Sequence, residues 1–133
     1  MWNGWPLSRI LLLFTGAAFL MISLQVTMYH YRQNFRHWAM YGPVFGGPLL
    51  GLLTIALAFY NVPVLRSITG VMLLVGIALG VAGGYLHFNG IGERVGGYGE
   101  AQNFLVGPPL TLPLMVTALS ILGLIALYWR PTI

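Results

Sequence analysis

His30 and His87 are the side chains in this sequence best suited to chemistry. Each closes a long apolar stretch, the first as Tyr29-His30-Tyr31 and the second as Tyr85-Leu86-His87-Phe88. Two imidazoles on different helices are the donor set of a b-type haem, whose iron takes one axial nitrogen from each face. The same place suits a quinone, with His30 or His87 donating to a carbonyl. Arg32, Arg36 and Arg94 follow the histidines and offer guanidinium groups to propionates. Gly76, Gly80 and Gly83 approach His87 along one helical face, with Gly84 beside them. Gly80, Gly83 and Gly84 would leave room for a flat ligand. The commoner meaning of Gly76, Gly80 and Gly84 at four-residue spacing is close helix–helix packing.

Other chemistries find less support. His30, His37, His87 and Glu93 contain no helical HxxxH pair, so no metal site is assigned. Zero cysteines exclude disulfides, thiolate sites and iron–sulfur clusters. Ser23 and His30 share a helix face but lie about two turns, roughly 10 Å, apart, too far for a nucleophile and its base. No catalytic residue is assigned, and the chain reads as non-catalytic. Ser23, Thr27, His30, Asn34 and His37 form a polar stripe at helical spacing, with Gln25 deeper in the same run.

The elements that must position these residues are apolar helices. The 133 residues are 58% hydrophobic and 6% charged, against about 25% charged in a soluble domain. Four uncharged runs, over about 10–28, 43–60, 68–86 and 109–129, each suffice to cross a hydrocarbon layer of about 30 Å as helices. The expected fold is all-α: one integral membrane domain over 1–133, a four-helix bundle in up-down-up-down order. The first run is too long for a signal peptide and no small-x-small site follows it, so it reads as a retained span. Trp2, Trp5, Tyr60, Tyr128 and Trp129 fall at one predicted interface. Tyr29, Tyr31, Trp38, Tyr41, Tyr85 and Tyr98 fall at the other. Arg9, Arg66 and Arg130 on the terminal side balance Arg32, Arg36 and Arg94 on the loop side. The α-amino group tips both termini toward the cytoplasm. The six basic residues do not cluster, which argues against nucleic acid.

An internal repeat runs through this pattern. Gly42-Pro43 with Pro48, and Gly107-Pro108-Pro109 with Pro113, share the skeleton Gly-Pro-x4-Pro, and both read as helix starts. Thr111 is placed to bond free backbone groups at the second. Aligned on these motifs, the chain divides into two helical hairpins over 8–60 and 65–130, related by a pseudo-two-fold along the membrane normal. The second loop is then the first with eight extra residues, and His30 and His87 lie at one depth.

That second loop is glycine-rich. Val95-Gly96-Gly97-Tyr98-Gly99 echoes the potassium-channel filter sequence TVGYG, but it has an extra glycine and lacks the threonine and a pore helix. Its glycines read as turns, with Glu93 or Glu100 meeting a nearby arginine. The wider segment YLHFNGIGERVGGYGEAQNFLVGPPLTLPL, residues 85–114, resembles a pattern in small four-helix bacterial membrane proteins. The resemblance implies a bacterial membrane protein and carries no activity.

The leading expectation is a non-catalytic subunit or assembly partner of a larger respiratory or photosynthetic complex in the bacterial inner membrane. Its partners are then lipid and other membrane subunits, or itself. One alternative is a small redox protein holding haem b or quinone between the first and third helices through His30 and His87. A small transporter or channel is a further alternative, disfavoured because no charge lies inside a span.

Overall fold

The structure, a computed structural model, describes residues 1–130 and Thr132. Four long helices carry the chain: α1 (Leu7–Arg32), α2 (Tyr41–Phe59), α3 (Pro63–Gly92) and α5 (Thr111–Tyr128). The short helix α4 (Ala101–Val106) precedes the last. Each long helix is long and apolar enough to cross a membrane, and at most 33% of its most apolar stretch is buried inside the bundle. The rest of each stretch is half-buried or exposed. The chain is therefore an all-α, multi-pass membrane protein in contact with lipid. In hydrocarbon only a helix satisfies the backbone of such an isolated segment, which is why uncharged runs of this length fold this way.

The helices outrun the apolar runs that announce them. α1 extends past 10–28 at both ends, and α3 covers far more than 68–86. Hydropathy marks where a helix leaves the hydrocarbon, not where its hydrogen bonding stops. Pro63 suits the first turn of α3, where no intrahelical N–H is needed. At its other end α3 takes in His87 to Gly92, which the glycine-rich sequence suggested was loop. α1 ends at Arg32, and the chain turns through Asn34 and Phe35, both at positive φ (56° and 47°). That turn removes Asn34 and His37 from the helix, so the polar stripe stops at His30.

α1 packs most extensively on α2, and α3 on α5; contacts of α1 with α5 and of α2 with α3 close the ring. Both principal pairs meet through glycine. A Cβ on Gly16 would lie 2.9 Å from the Gly51 carbonyl oxygen. A Cβ on Gly80 would lie 2.6 Å from both the Pro113 carbonyl oxygen and the Thr117 backbone nitrogen. Gly76 faces Ser120 and Leu50, Gly83 faces Pro113, and Gly84 faces Leu114. The Thr117 hydroxyl donates across this contact to the Ile77 carbonyl at 3.0 Å. Lipid is as apolar as a leucine side chain, so such close approach, rather than hydrophobic burial, is what holds membrane helices together. Leu12, Leu57, Ala58, Ala126 and Leu127 fill the end near the chain termini, while Phe19, Leu50, Leu73 and Val116 fill the middle. Buried Ser23, Thr54 and Ser120 return their hydroxyls to the carbonyl four residues back, at 2.6–2.7 Å. The buried hydroxyls of Thr15 and Thr69 have no partner.

The proline motifs do not occupy matching places. Gly42 and Pro43 lie in the first turn of α2 and Pro48 lies within that helix, whereas Gly107, Pro108 and Pro109 precede α5. Pro43 and Pro113 are each the third residue of their helix. The residue before α5 is Leu110, which offers no side-chain cap, and Thr111 is the first residue inside the helix.

Because its neighbours on α5 are backbone atoms that cannot move aside, Gly80→Ala should lower stability by about 1–3 kcal/mol. Gly99→Ala, with nothing within 4 Å of the new methyl group, should be near neutral. Unfolding of the purified variants in detergent tests the contrast.

Candidate functional site

Each hairpin is tied at both ends by a cation or imidazole of its first helix bonding a carbonyl at the end of the second helix or just before its start. At the end near the termini, Arg9 Nε donates to the Ala58 carbonyl at 2.7 Å, and an Arg66 terminal nitrogen donates to the Leu127 carbonyl at 2.6 Å. Ala58 and Leu127 are the penultimate residues of α2 and α5. The last carbonyls of a helix lack intrahelical donors and form its negative end, so a guanidinium is a fitting partner. Arg9 also lies 3.7 Å over the Trp5 ring, and Trp2 Nε1 donates to the Leu57 carbonyl at 2.8 Å. Arg66 in addition reaches Asn61 Oδ1.

At the loop end the histidines take the same part. His30 Nδ1 bonds the Met40 carbonyl at 2.9 Å, and His87 Nδ1 bonds the Pro109 carbonyl at 2.7 Å. A carbonyl only accepts, so Nδ1 carries the proton in both rings and Nε2 of the neutral ring keeps its lone pair. Proline supplies part of the reason. Pro113, four residues beyond Pro109, has no N–H to give that carbonyl, and His87 serves it instead.

The two histidines meet. Their ring centroids are 6.5 Å apart with planes inclined at 70°. His30 is 7% exposed and His87 is half-buried. The Phe35 ring lies 6.4 Å from His30 and stacks on Tyr41 at 4.9 Å, presented there by the left-handed turn after α1. Placing a phenylalanine at positive φ costs on the order of 1 kcal/mol, which the ring's contacts offset.

The other residues marked by the sequence lie apart from the pair. Arg32 and Arg36 are exposed at and after the end of α1. Arg94 is exposed, and its Nε points to Asn103 Oδ1 at 3.4 Å, not to a carboxylate. Glu100 accepts from the Gln102 backbone as the cap of α4. His37 is exposed and accepts from Ala39 N. Among the described residues no three acidic or histidine side chains converge. Gly80, Gly83 and Gly84 face α5, not an open slot. A flat ligand lying on that glycine face would have to displace Pro113, Leu114 and Thr117. A quinone carbonyl needs a donor, and the tautomer set by the carbonyl bonds leaves an acceptor.

Sequence reasoning paired the histidines but missed the arginines and the acceptors. The missed signal is Pro-x2-Arg-x20-His, which occurs as Pro6, Arg9, His30 and again as Pro63, Arg66, His87, displaced by 57 positions. The acceptors Met40 and Ala58 recur as Pro109 and Leu127, displaced by 69 positions. On that register the second loop is longer by 12 residues, not by eight. Burial follows it too: Gly47, Gly51, Thr54, Leu57 and Ala58 of α2 match Val116, Ser120, Gly123, Ala126 and Leu127 of α5, all buried. The longer loop is held by buried Asn103, whose amide donates to the Val95 and Gly97 carbonyls at 3.0 and 2.9 Å. Gly96 and Gly97, at φ 87° and 57°, supply the left-handed turn.

Compared with protein-family models, curated proteins and solved structures, the chain gives no match.

If the arginine ties close each hairpin, Arg66→Ala should cost about 1–2 kcal/mol by leaving the Leu127 carbonyl without a donor. Arg66→Lys should recover part of that loss. Arg9→Ala should behave alike, with a further loss from the Trp5 contact. Denaturant titration in micelles measures all three; equal stability of Arg66→Ala and the parent would remove the tie from the account.

Proposed function

We propose that this chain is a non-catalytic membrane subunit or assembly partner of a larger complex in the bacterial inner membrane. The observation that carries the reading is the filled interior. The cavity beneath Pro43 and Gly47, lined by Phe19, Ile22, Ser23, Val26, Leu79 and Val116, measures about 10 Å³. That is about the room of one water. At this place the bundle offers no chamber for a substrate. What it offers is its outer surface.

On that surface an open apolar groove of about 620 Å³ runs between α3 and α5. Gly70, Val71, Leu74, Ile121, Leu124, Ile125, Tyr128 and Trp129 line it. An open apolar surface of this kind in the hydrocarbon layer suits contact with a transmembrane helix of a partner. The same reading takes the chain as two copies of one hairpin. It rests on the recurring Pro-x2-Arg-x20-His spacing, the matched ties and the matched burial. A scaffold duplicated in this way puts two similar faces at the disposal of its neighbours.

A photo-activated cross-linker placed at Leu74, inside the groove, should capture another polypeptide in native membranes. The same cross-linker at Phe14, which is exposed on α1, should give a different pattern or lipid alone. Capture of lipid only, at both positions, would refute the subunit reading.

A further inference from the structure

We propose that His30 and His87 together hold one soft monovalent cation, Cu(I) in chemical type, between their two Nε2 atoms. The proposal is independent of the subunit reading. Three observations carry it.

The first is the outer hydrogen bond. A histidine that binds a metal usually donates its other ring N–H to a carbonyl or carboxylate, which fixes the tautomer and makes the free nitrogen a better ligand. Both rings do so here, to the Met40 and Pro109 carbonyls. The second is distance. Metal–nitrogen bonds of about 2 Å, with about 1.15 Å from nitrogen to ring centre, put the centroids of a linear bis-imidazole pair about 6.3 Å apart. A tetrahedral pair would sit at about 5.1 Å on the same bond lengths. The observed 6.5 Å is close to the linear value, and with both Nδ1 atoms tied to carbonyls Nε2 is the nitrogen each ring has left for an ion. The third is the donor set. Among the described residues no third acid or histidine joins the pair. Zn(II) in a structural site wants four ligands, and a doubly charged ion with two neutral donors would be poorly compensated in a buried place. A monovalent d10 ion is content with two nitrogens in line and carries half the charge into the site. The Phe35 ring beside His30 adds an apolar wall.

The test uses the whole chain purified in detergent, under reducing conditions, titrated with Cu(I) against a colorimetric chelator. Wild type should take one Cu(I) per chain. His30→Asn and His87→Asn should each lose it, and His37→Asn should keep it. Asparagine is the informative replacement, because its amide nitrogen stands where Nδ1 stood and can still donate to the Met40 or Pro109 carbonyl. Fold is retained while Nε2 is removed, and thermal unfolding checks that. Should either variant unfold, 15N-labelled histidine in the wild-type protein decides: on adding Ag(I), the Nε2 resonances of two of the three histidines should move far more than their Nδ1 resonances, which should stay in the protonated range. Failure of the wild type to compete for Cu(I), undiminished binding by the His30→Asn, His87→Asn double variant, or a larger shift at Nδ1 than at Nε2 would each overturn the proposal.

Discussion

A backbone polar group in hydrocarbon has no water to turn to, and most of this protein is arranged around that fact. Within a helix the problem solves itself. At helix ends it does not, and the hairpins α1–α2 and α3–α5 solve it by reaching across. Arg9 and Arg66 serve the last carbonyls of the partner helices, and His30 and His87 serve carbonyls where those helices begin. The long polar side chains of the interior ends are thus spent on backbone, not on one another. The prolines fit the same logic: a residue without an N–H creates a free carbonyl, and Pro113 creates the one that His87 takes up.

Between the ties, small residues set the helix separation. Gly16 and Gly51 bring α1 against α2, and Gly80 brings α3 against the backbone of Pro113 and Thr117. The hydroxyls of Ser23, Thr54 and Ser120 turn inward to their own helices, so they cost little in the apolar interior. Thr117 alone of these short hydroxyl residues bridges helices. The interior is left dense. That density bears on function: a glycine face occupied by a neighbouring helix is unavailable to a flat ring. The chemical capacity of the molecule is thereby narrowed to a pair of imidazoles at one end and an outward groove at the other.

The two histidines have a double character. Through Nδ1 they are structural, each tying one hairpin. Through Nε2 they remain free, and because one comes from each hairpin they meet where the hairpins adjoin. The carbonyl ties at the loop end bring both imidazoles to one end of the bundle without any further design. A site for a small ion at that point would follow from the closure of the bundle.

The sequence by itself determined the four helices, their approximate spans and the membrane setting, because lipid leaves an uncharged run of about twenty residues no other structure. It also marked His30 and His87 as counterparts, and it held, unnoticed, the Pro-x2-Arg-x20-His spacing that sets the hairpin register. It misled where several structures share one pattern. Gly-Pro-x4-Pro looks like one signal, yet Pro48 lies inside α2 while Pro108 and Pro109 lie outside α5. Gly80, Gly83 and Gly84 are equally good as a ligand bed or a helix contact, since a missing side chain does not say what fills its place. Asn34 and His37 continue the period of α1 on paper, but the chain reverses before them. Only the tertiary structure decided these matters: which carbonyl each arginine and histidine reaches, what covers the glycines, and how far apart the two imidazoles stand. Each is a distance between residues remote in the chain, and local pattern carries no information about such distances.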